Sequence, residues 1–346
     1  MADLIETERP QGIITEFNTI GHIVLDIETK IGASAEDYRT LDDLIHKAKE
    51  RINVEDTNDK YAAIEAMKQI GDLLLDEGYG YGQSLFHQGL KSKRLDCNHS
   101  VFIYLSIAEV MGLPIVAVTA PEHGFIRWLN EEGQGINWET TTRQIWDNMT
   151  YIDWRNIDFS SLQNGVFLRN LTRSEALAIA YNQVGIGFTQ LREDEKAFDN
   201  YDQAIKLNPK FPEAYRNRGC NWFEKGNPDK AMEDLNVAID LNPNFAVVYQ
   251  LRGIIWHTKE DYETAIEEFN ESIRLNPEDP DTFMNRGNSL FMLGDIDRAI
   301  RDYDKTIEIA PKYHLAYHNR GLAWRKKGNM LKADLDFAMA KRLPPS

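Results

Sequence analysis

"PEAYRNRGCNWFEKGNPDKAMEDLNVAIDLNPNF", residues 212–245, decides the architecture of half the chain, because its landmarks recur on either side at a fixed interval. Its glycine, Gly219, belongs to a series of Gly185, Gly253, Gly287 and Gly321, each 34 residues from the next. Its alanine, Ala231, belongs with Ala197, Ala265, Ala299 and Ala333, and its proline, Pro243, with Pro209, Pro277, Pro311 and Pro345. An aromatic stands four residues before each glycine: Tyr181, Tyr215, Tyr249, Phe283 and Tyr317. A large apolar residue stands three after it: Phe188, Trp222, Trp256, Leu290 and Trp324. Small residues at fixed positions mark close approach of two helices, and a proline that cannot continue a helix marks the turn into the next pair. A single helix pair cannot bury its apolar face alone, so such pairs stack.

The pattern resembles the tetratricopeptide repeat, in five units at 178–211, 212–245, 246–279, 280–313 and 314–346. The resemblance implies an all-α solenoid over 173–346 whose first helices line a groove for a protein or peptide partner. Asn217, Asn285 and Asn319 occupy one equivalent position, two before each glycine. Either they hydrogen-bond an extended peptide in the groove, or they simply solvate the helix face. Gln183 and Leu251 interrupt the series. The first repeat has Asn182 and Ile186 where the family's carboxylate clamp would need Lys and Asn, so no chaperone-tail receptor is expected. The extra capping helix of such arrays is absent, so association through the last repeat is expected as one way to cover its face.

Residues 12–172 show no repeat. "IITEFNTIGHIVLDIETKI", "LDDLIHKAKERI" and "KYAAIEAMKQIGDLLLDEG" carry apolar residues at helical spacing and read as a helical lobe. In "RLDCNHSVFIYLSIAEVMGLPIVAVTA", Asp96 is an N-cap and Cys97 starts a helix with Val101, Tyr104, Leu105, Ala108 and Met111 on one stripe. Gly112 ends that helix and Pro114 starts a strand. "HGFIRWL" and "INWETT" follow as two more strands around the turn "NEEGQG", giving an α+β domain with a central helix on an antiparallel sheet.

A helix N-terminus carries partial positive charge and unsatisfied N–H groups, which favours a thiolate and offers an oxyanion donor. A nucleophilic cysteine also needs a base and a group that orients it. His123 begins one strand, and Glu139 lies on the next, with Asn137 two residues earlier on the same side. This order resembles the transglutaminase-like cysteine hydrolases of the papain-type fold. "MGLPIVAV" and "PEHGFIRW…INWETT" resemble their SirB-type bacterial branch, in which tetratricopeptide repeats often follow. The resemblance implies Cys97 as nucleophile, His123 as general base and Glu139 as orienting acid, with Asn137 as the fallback for the third role. Gln88 and Gln83 are candidates for an upstream oxyanion donor.

The competing readings of these residues are plainer. Cys97 could be a buried structural thiol, or a metal ligand with His87, His99 and His123. His99 lies roughly 200° round the helix from Cys97, so a shared ion is disfavoured and His99 is expected to face solvent. Trp128, Trp138 and Cys220 are expected to pack in cores. His257 and His318 are expected to face the groove or solvent, and "REDEK" and "NEEGQG" to be solvated turns.

The chain has 346 residues and a formal charge of −16, which argues against binding to nucleic acid or anionic lipid surfaces. "MADLIETERP" has no signal-peptide pattern, and no apolar run approaches the ~20 residues of a membrane span. A cytoplasmic location is expected, with no cofactor and no metal. Two functional readings follow. One is a thiol acyl-transfer enzyme (hydrolysis, deamidation or cross-linking) acting on a protein or peptide recruited by the repeats. The other is a catalytically silent domain in an interaction scaffold.

Overall fold

The computed structural model describes residue 9, residues 13–82 and residues 85–344. Two compact units divide the chain, Met1–Asn221 and Trp222–Ser346. The first begins with α1 (Ile20–Glu28), a 3-10 turn (Thr29–Ile31), α2 (Ala35–Arg51) and α3 (Lys60–Asp76). It continues through β1 (Gly80–Tyr81), α4 (Phe86–Ser92), β2 (Arg94–Leu95) and α5 (Cys97–Met111). The strands β3 (Ile115–Ala120), β4 (His123–Leu129), β5 (Gly135–Glu139) and β6 (Gln144–Ile145) come next, then α6 (Asn148–Arg155) and α7 (Phe159–Gln163). Two repeat helices follow, α8 (Arg173–Gln190) and α9 (Asp194–Leu207). Helix α10 (Pro212–Glu224) contains the boundary between the units.

The expected helices of the lobe form; the third starts at Lys60 as expected, the second starts earlier, at Ala35, and the first starts later. The first begins only at Ile20, capped by Thr19, so the segment from Ile13 to Asn18 is not helical. Asp96 caps α5 by accepting the His99 N–H at 2.8 Å, and Gly112 ends it at φ 67. The expected stripe on α5 is too narrow. Every residue from His99 to Ala108 is buried, because α1 and α2 cover the side of α5 that β3 and β4 leave open. A helix apolar nearly all round is a core helix. The strand after it starts at Ile115, one residue later than expected.

The four strands pair antiparallel in the order β3-β4-β5-β6. The short β6 and the parallel β1-β2 pair carry too little pattern to be read from sequence. Register places Arg127 opposite Asn137 and Ile126 opposite Trp138. Alternation then sends His123, Phe125 and Arg127 to one face and Trp128 to the other. Trp128 and Trp138 are core residues, as expected. Their indole N–H groups donate to the Thr57 carbonyl at 2.9 Å and the Tyr104 hydroxyl at 3.1 Å.

In the second unit α11 (Pro228–Leu241) is followed by the pairs α12 (Ala246–Thr258) and α13 (Tyr262–Leu275), α14 (Pro280–Leu293) and α15 (Ile296–Ile309), and α16 (His314–Lys326) and α17 (Met330–Arg342). The repeat glycines have a common cause. A Cβ on Gly253 would lie 2.6 Å from the Phe269 ring, on Gly287 2.7 Å from Tyr303, and on Gly321 2.8 Å from Phe337. In the first unit Gly185 stands likewise against Tyr201 at 2.6 Å. Ala197, Ala231, Ala265, Ala299 and Ala333 are buried, in keeping with close helix packing.

An arginine series accompanies these rings. Arg286 donates to both Asp302 oxygens, at 2.8 and 2.7 Å, and to the Asn270 Oδ1 at 2.7 Å. Arg320 does the same to Asp336, at 2.8 and 2.7 Å, and to Asp304 at 2.6 Å. The segment "REDEK" is not a turn throughout, since Asp194 already starts α9. Pro345 and Gln83 lie outside the described residues.

Candidate active site

Cys97 is the first residue of α5 and is half-buried, with no disulfide. His123 opens β4 and Glu139 closes β5, so two adjacent strands carry the side chains expected as base and acid. The His123 Nε2–H donates to Glu139 Oε2 at 2.6 Å. The Cys97 side chain lies near the same ring and acts on its charge. Burial alone would lower the His123 pKa, but the Cys97 and Glu139 side chains together raise it to about 9. Glu139 moves the opposite way. Burial works to raise its pKa, and the bond to His123 and those from Thr141 hold it below the usual carboxylate value.

Asn137 is bonded elsewhere. Although it shares a strand face with Glu139, its Oδ1 accepts from Arg127 Nε at 2.6 Å and its Nδ2 donates to Asn148 at 2.9 Å. The longer glutamate reaches the imidazole, and Asn137 is held by the arginine opposite it. His99 is not at the surface. It is 1% exposed, its Nδ1 accepts the Asp96 backbone N–H at 3.4 Å, and burial pushes its pKa down to about 4. A residue in the first turn is usually solvated, but here α5 enters the core at once, with Phe86 against the His99 ring. His87 is bonded to Glu28 at 2.8 Å. Gln88 lies exposed on α4. Among the described residues no group of three potential ligands could hold a metal ion.

Several residues at the site are not evident from sequence. Thr141 donates to Glu139 Oε1 through its N–H at 3.1 Å and its hydroxyl at 2.6 Å. Tyr151 donates to Glu139 Oε2 at 3.2 Å and stacks on Phe125, ring centres 3.9 Å apart. Trp154 turns its ring edge-on to His123 at 5.0 Å and remains 49% exposed. The clustered aromatics of "IWDNMTYIDW" are the signal that could have found them. Gly124, next to His123, is closely packed. A Cβ there would lie 2.6 Å from the Asn98 side-chain oxygen. Burial also pushes Asp96 up to about 6, against the His99 and Asn98 amides that stabilise its charge.

The three asparagines expected in the groove do not behave alike. Asn217 is buried and donates to Asn182 Oδ1 at 2.8 Å. Asn319, half-buried, donates to Asn288 Oδ1 at 2.8 Å. Asn285 is half-buried on α14. His257 bonds Ser289 at 2.8 Å, and His318 is exposed with its ring near Phe337.

Repeated helix pairs with these contacts define the class of the C-terminal region, and the comparisons agree. Tetratricopeptide-repeat models match residues 212–245 and 280–313, and a TPR-repeat model matches 188–220 and 257–294. The C-terminal region consists of tetratricopeptide repeats. The matched residues include none of Cys97, His123 and Glu139. No curated protein matches the chain. Solved structures similar to it include MamA, 28% identical with a TM-score of 0.43 over 46% of this chain and 93% of that one. PilF of Pseudomonas aeruginosa is 18% identical, with a TM-score of 0.48 over 51% of this chain and 80% of that one. YrrB, a TPR protein with an unusual peptide-binding site, is 22% identical, with a TM-score of 0.42 over 48% of this chain and 85% of that one. Among the described residues no helix is long and apolar enough to cross a membrane.

Proposed function

We propose that this chain is an interaction protein whose tetratricopeptide repeats hold a protein or peptide partner. The repeat matches support this reading, as do the half-buried Asn285 and Asn319 on the first helices of their repeats. The test is binding of a peptide array to the full chain and to an Asn285→Ala/Asn319→Ala variant. Saturable binding that the double substitution weakens is expected. Equal binding by both proteins would remove these asparagines from the recognition surface.

A second reading is favoured by one observation, the buried 2.6 Å bond between His123 and Glu139 beside a half-buried Cys97 at a helix start. On this reading the site performs thiol acyl transfer. With the His123 Nε2–H given to Glu139, Nδ1 is the nitrogen left to exchange a proton with the thiol. The Cys97 sulfur attacks an amide carbonyl carbon, and the Cys97 N–H stabilises the oxyanion. His123 protonates the departing amine as the C–N bond breaks, leaving a thioester. Water or a second amine then attacks the thioester carbonyl and restores the thiol. Hydrolysis, deamidation and cross-linking share these steps and differ in the acceptor. Labelling of the folded chain with an iodoacetamide probe tests it. Cys97 is expected to react faster than Cys220 at neutral pH, and to lose that advantage in His123→Ala. Equal rates for the two thiols in the unsubstituted chain would leave the silent-scaffold reading, in which Cys97→Ala preserves partner binding and cellular role.

A further inference from the structure

Arg127 belongs neither to the repeats nor to the thiol site. Its side chain leaves β4 and lies across β5, where a Cβ on Gly135 would come within 2.3 Å of the Arg127 Cδ. Its guanidinium is held by neutral oxygens. Nε donates to Asn137 Oδ1 at 2.6 Å and Nη2 to Asn148 Oδ1 at 3.1 Å. Nη1 donates to Asn170 Oδ1 at 2.8 Å and the Leu168 carbonyl at 3.2 Å. Other arginines in this acidic chain sit against carboxylates, Arg9 on Asp26, Arg169 on Glu175 and Arg286 on Asp302. Among the described residues Arg127 has no carboxylate within ion-pair distance. A guanidinium does not give up its proton in a protein, so a half-buried one without a counter-charge leaves a positive potential in its cleft.

The asparagines amplify that potential. Each turns its carbonyl oxygen to the cation, so each directs its NH2 group away from it. Asn137 gives its NH2 to Asn148. Among the described residues the NH2 groups of Asn148 and Asn170 meet no acceptor, and both residues line an open cleft of about 550 Å³ together with Arg127 and Lys60. Asp147 also lines it, but its carboxylate caps α6, accepting from the Thr150 N–H at 2.7 Å and hydroxyl at 2.8 Å. Two cations and two amide side chains thus line the cleft with one engaged carboxylate.

We propose that this cleft binds a compact oxyanion, the phosphate or carboxylate group of a small ligand, between Arg127, the Asn148 and Asn170 amides and Lys60. This site is independent of the thiol chemistry, so Cys97→Ala leaves anion binding unchanged. Thermal unfolding of the full chain is measured against inorganic phosphate and, separately, acetate, with ionic strength held constant by chloride. A saturable rise in Tm is expected for at least one anion, and the one that saturates at lower concentration identifies the source. Arg127→Gln abolishes the rise, and Lys60→Gln and Asn170→Asp weaken it severalfold. The last two positions are exposed, so these variants fold even if Arg127→Gln does not. No saturable rise with either anion overturns the proposal, and so does a response in Lys60→Gln and Asn170→Asp equal to the unsubstituted chain.

Discussion

Glu213, on the first helix of the second repeat, accepts the backbone N–H of Glu122 at 2.9 Å, one residue before His123. The carboxyl is 7% exposed, and burial raises its pKa against the stabilising Glu122 amide. Glu122 sits at φ 53, a left-handed conformation that costs a non-glycine residue about 1 kcal/mol or more. A repeat residue therefore holds a strained turn that aims the candidate base. Glu213→Ala should slow iodoacetamide labelling of Cys97 several-fold and cost roughly 1–2 kcal/mol of stability. Glu213→Gln keeps an acceptor oxygen for the Glu122 N–H and should restore most of the rate. Equal labelling in both variants and in the unsubstituted chain would show that the turn holds without this bond.

His123 ties stability to pH. It holds its proton to about pH 9 when folded and to about 6.5 when unfolded. Folding takes up a proton between these values. The stabilisation is complete below pH 6.5 and is lost as the pH rises through 9, by roughly 3 kcal/mol for a shift of this size. Glu139→Gln removes the charge that favours the imidazolium and should shrink the effect. Denaturant unfolding at several pH values between 6 and 10 measures it, and a flat profile for the unsubstituted chain would contradict the assignment.

The repeat glycines predict a graded series. In Gly253→Ala the new methyl meets the Phe269 ring at 2.6 Å and should cost about 1–3 kcal/mol through forced repacking. Shrinking the ring in the same chain, as Gly253→Ala/Phe269→Leu, should recover part of that loss. A double-mutant cycle by urea denaturation tests the coupling. Additive costs would place the two residues out of contact.

Arg320 bridges the second helices of two successive repeats through Asp336 and Asp304, and these bonds raise its pKa further. Its carboxylate partner Asp336 is only 7% exposed. Removing the guanidinium strands that charge, so Arg320→Ala should destabilise by about 2 kcal/mol or more. Arg320→Ala/Asp336→Ala should be milder than the sum of the single changes. Strict additivity in thermal or urea melts would show that the pair contributes no coupling.

Much of this was legible in the chain itself. The interval of 34 residues located the repeats, and the same interval or its double separates Tyr201, Phe269, Tyr303 and Phe337, the side chains that face Gly185, Gly253, Gly287 and Gly321. Only some of those contacts explain themselves without coordinates, since a period shows that positions are equivalent and not which ones touch. His99 shows the limit most plainly. Its helical phase set it apart from Cys97, but whether that side of α5 met solvent depended on α4 and Phe86.

What the sequence alone determined is local and periodic. It placed the start of α5 at Cys97 through the Asp96 cap, the strands on either side of "NEEGQG", and the helix pairs through their small residues. Tertiary structure decided everything that depends on which faces meet. Register put Asn137 opposite Arg127 and left Glu139 to His123, although both carboxamide and carboxylate share one strand face. Chain folding brought Glu213, 90 residues downstream of His123, to the turn beside it. The physical reason is that caps, turns and periodicity act within a few residues along the chain. Charge pairing and burial act through space, between residues whose separation in sequence carries no information about their distance.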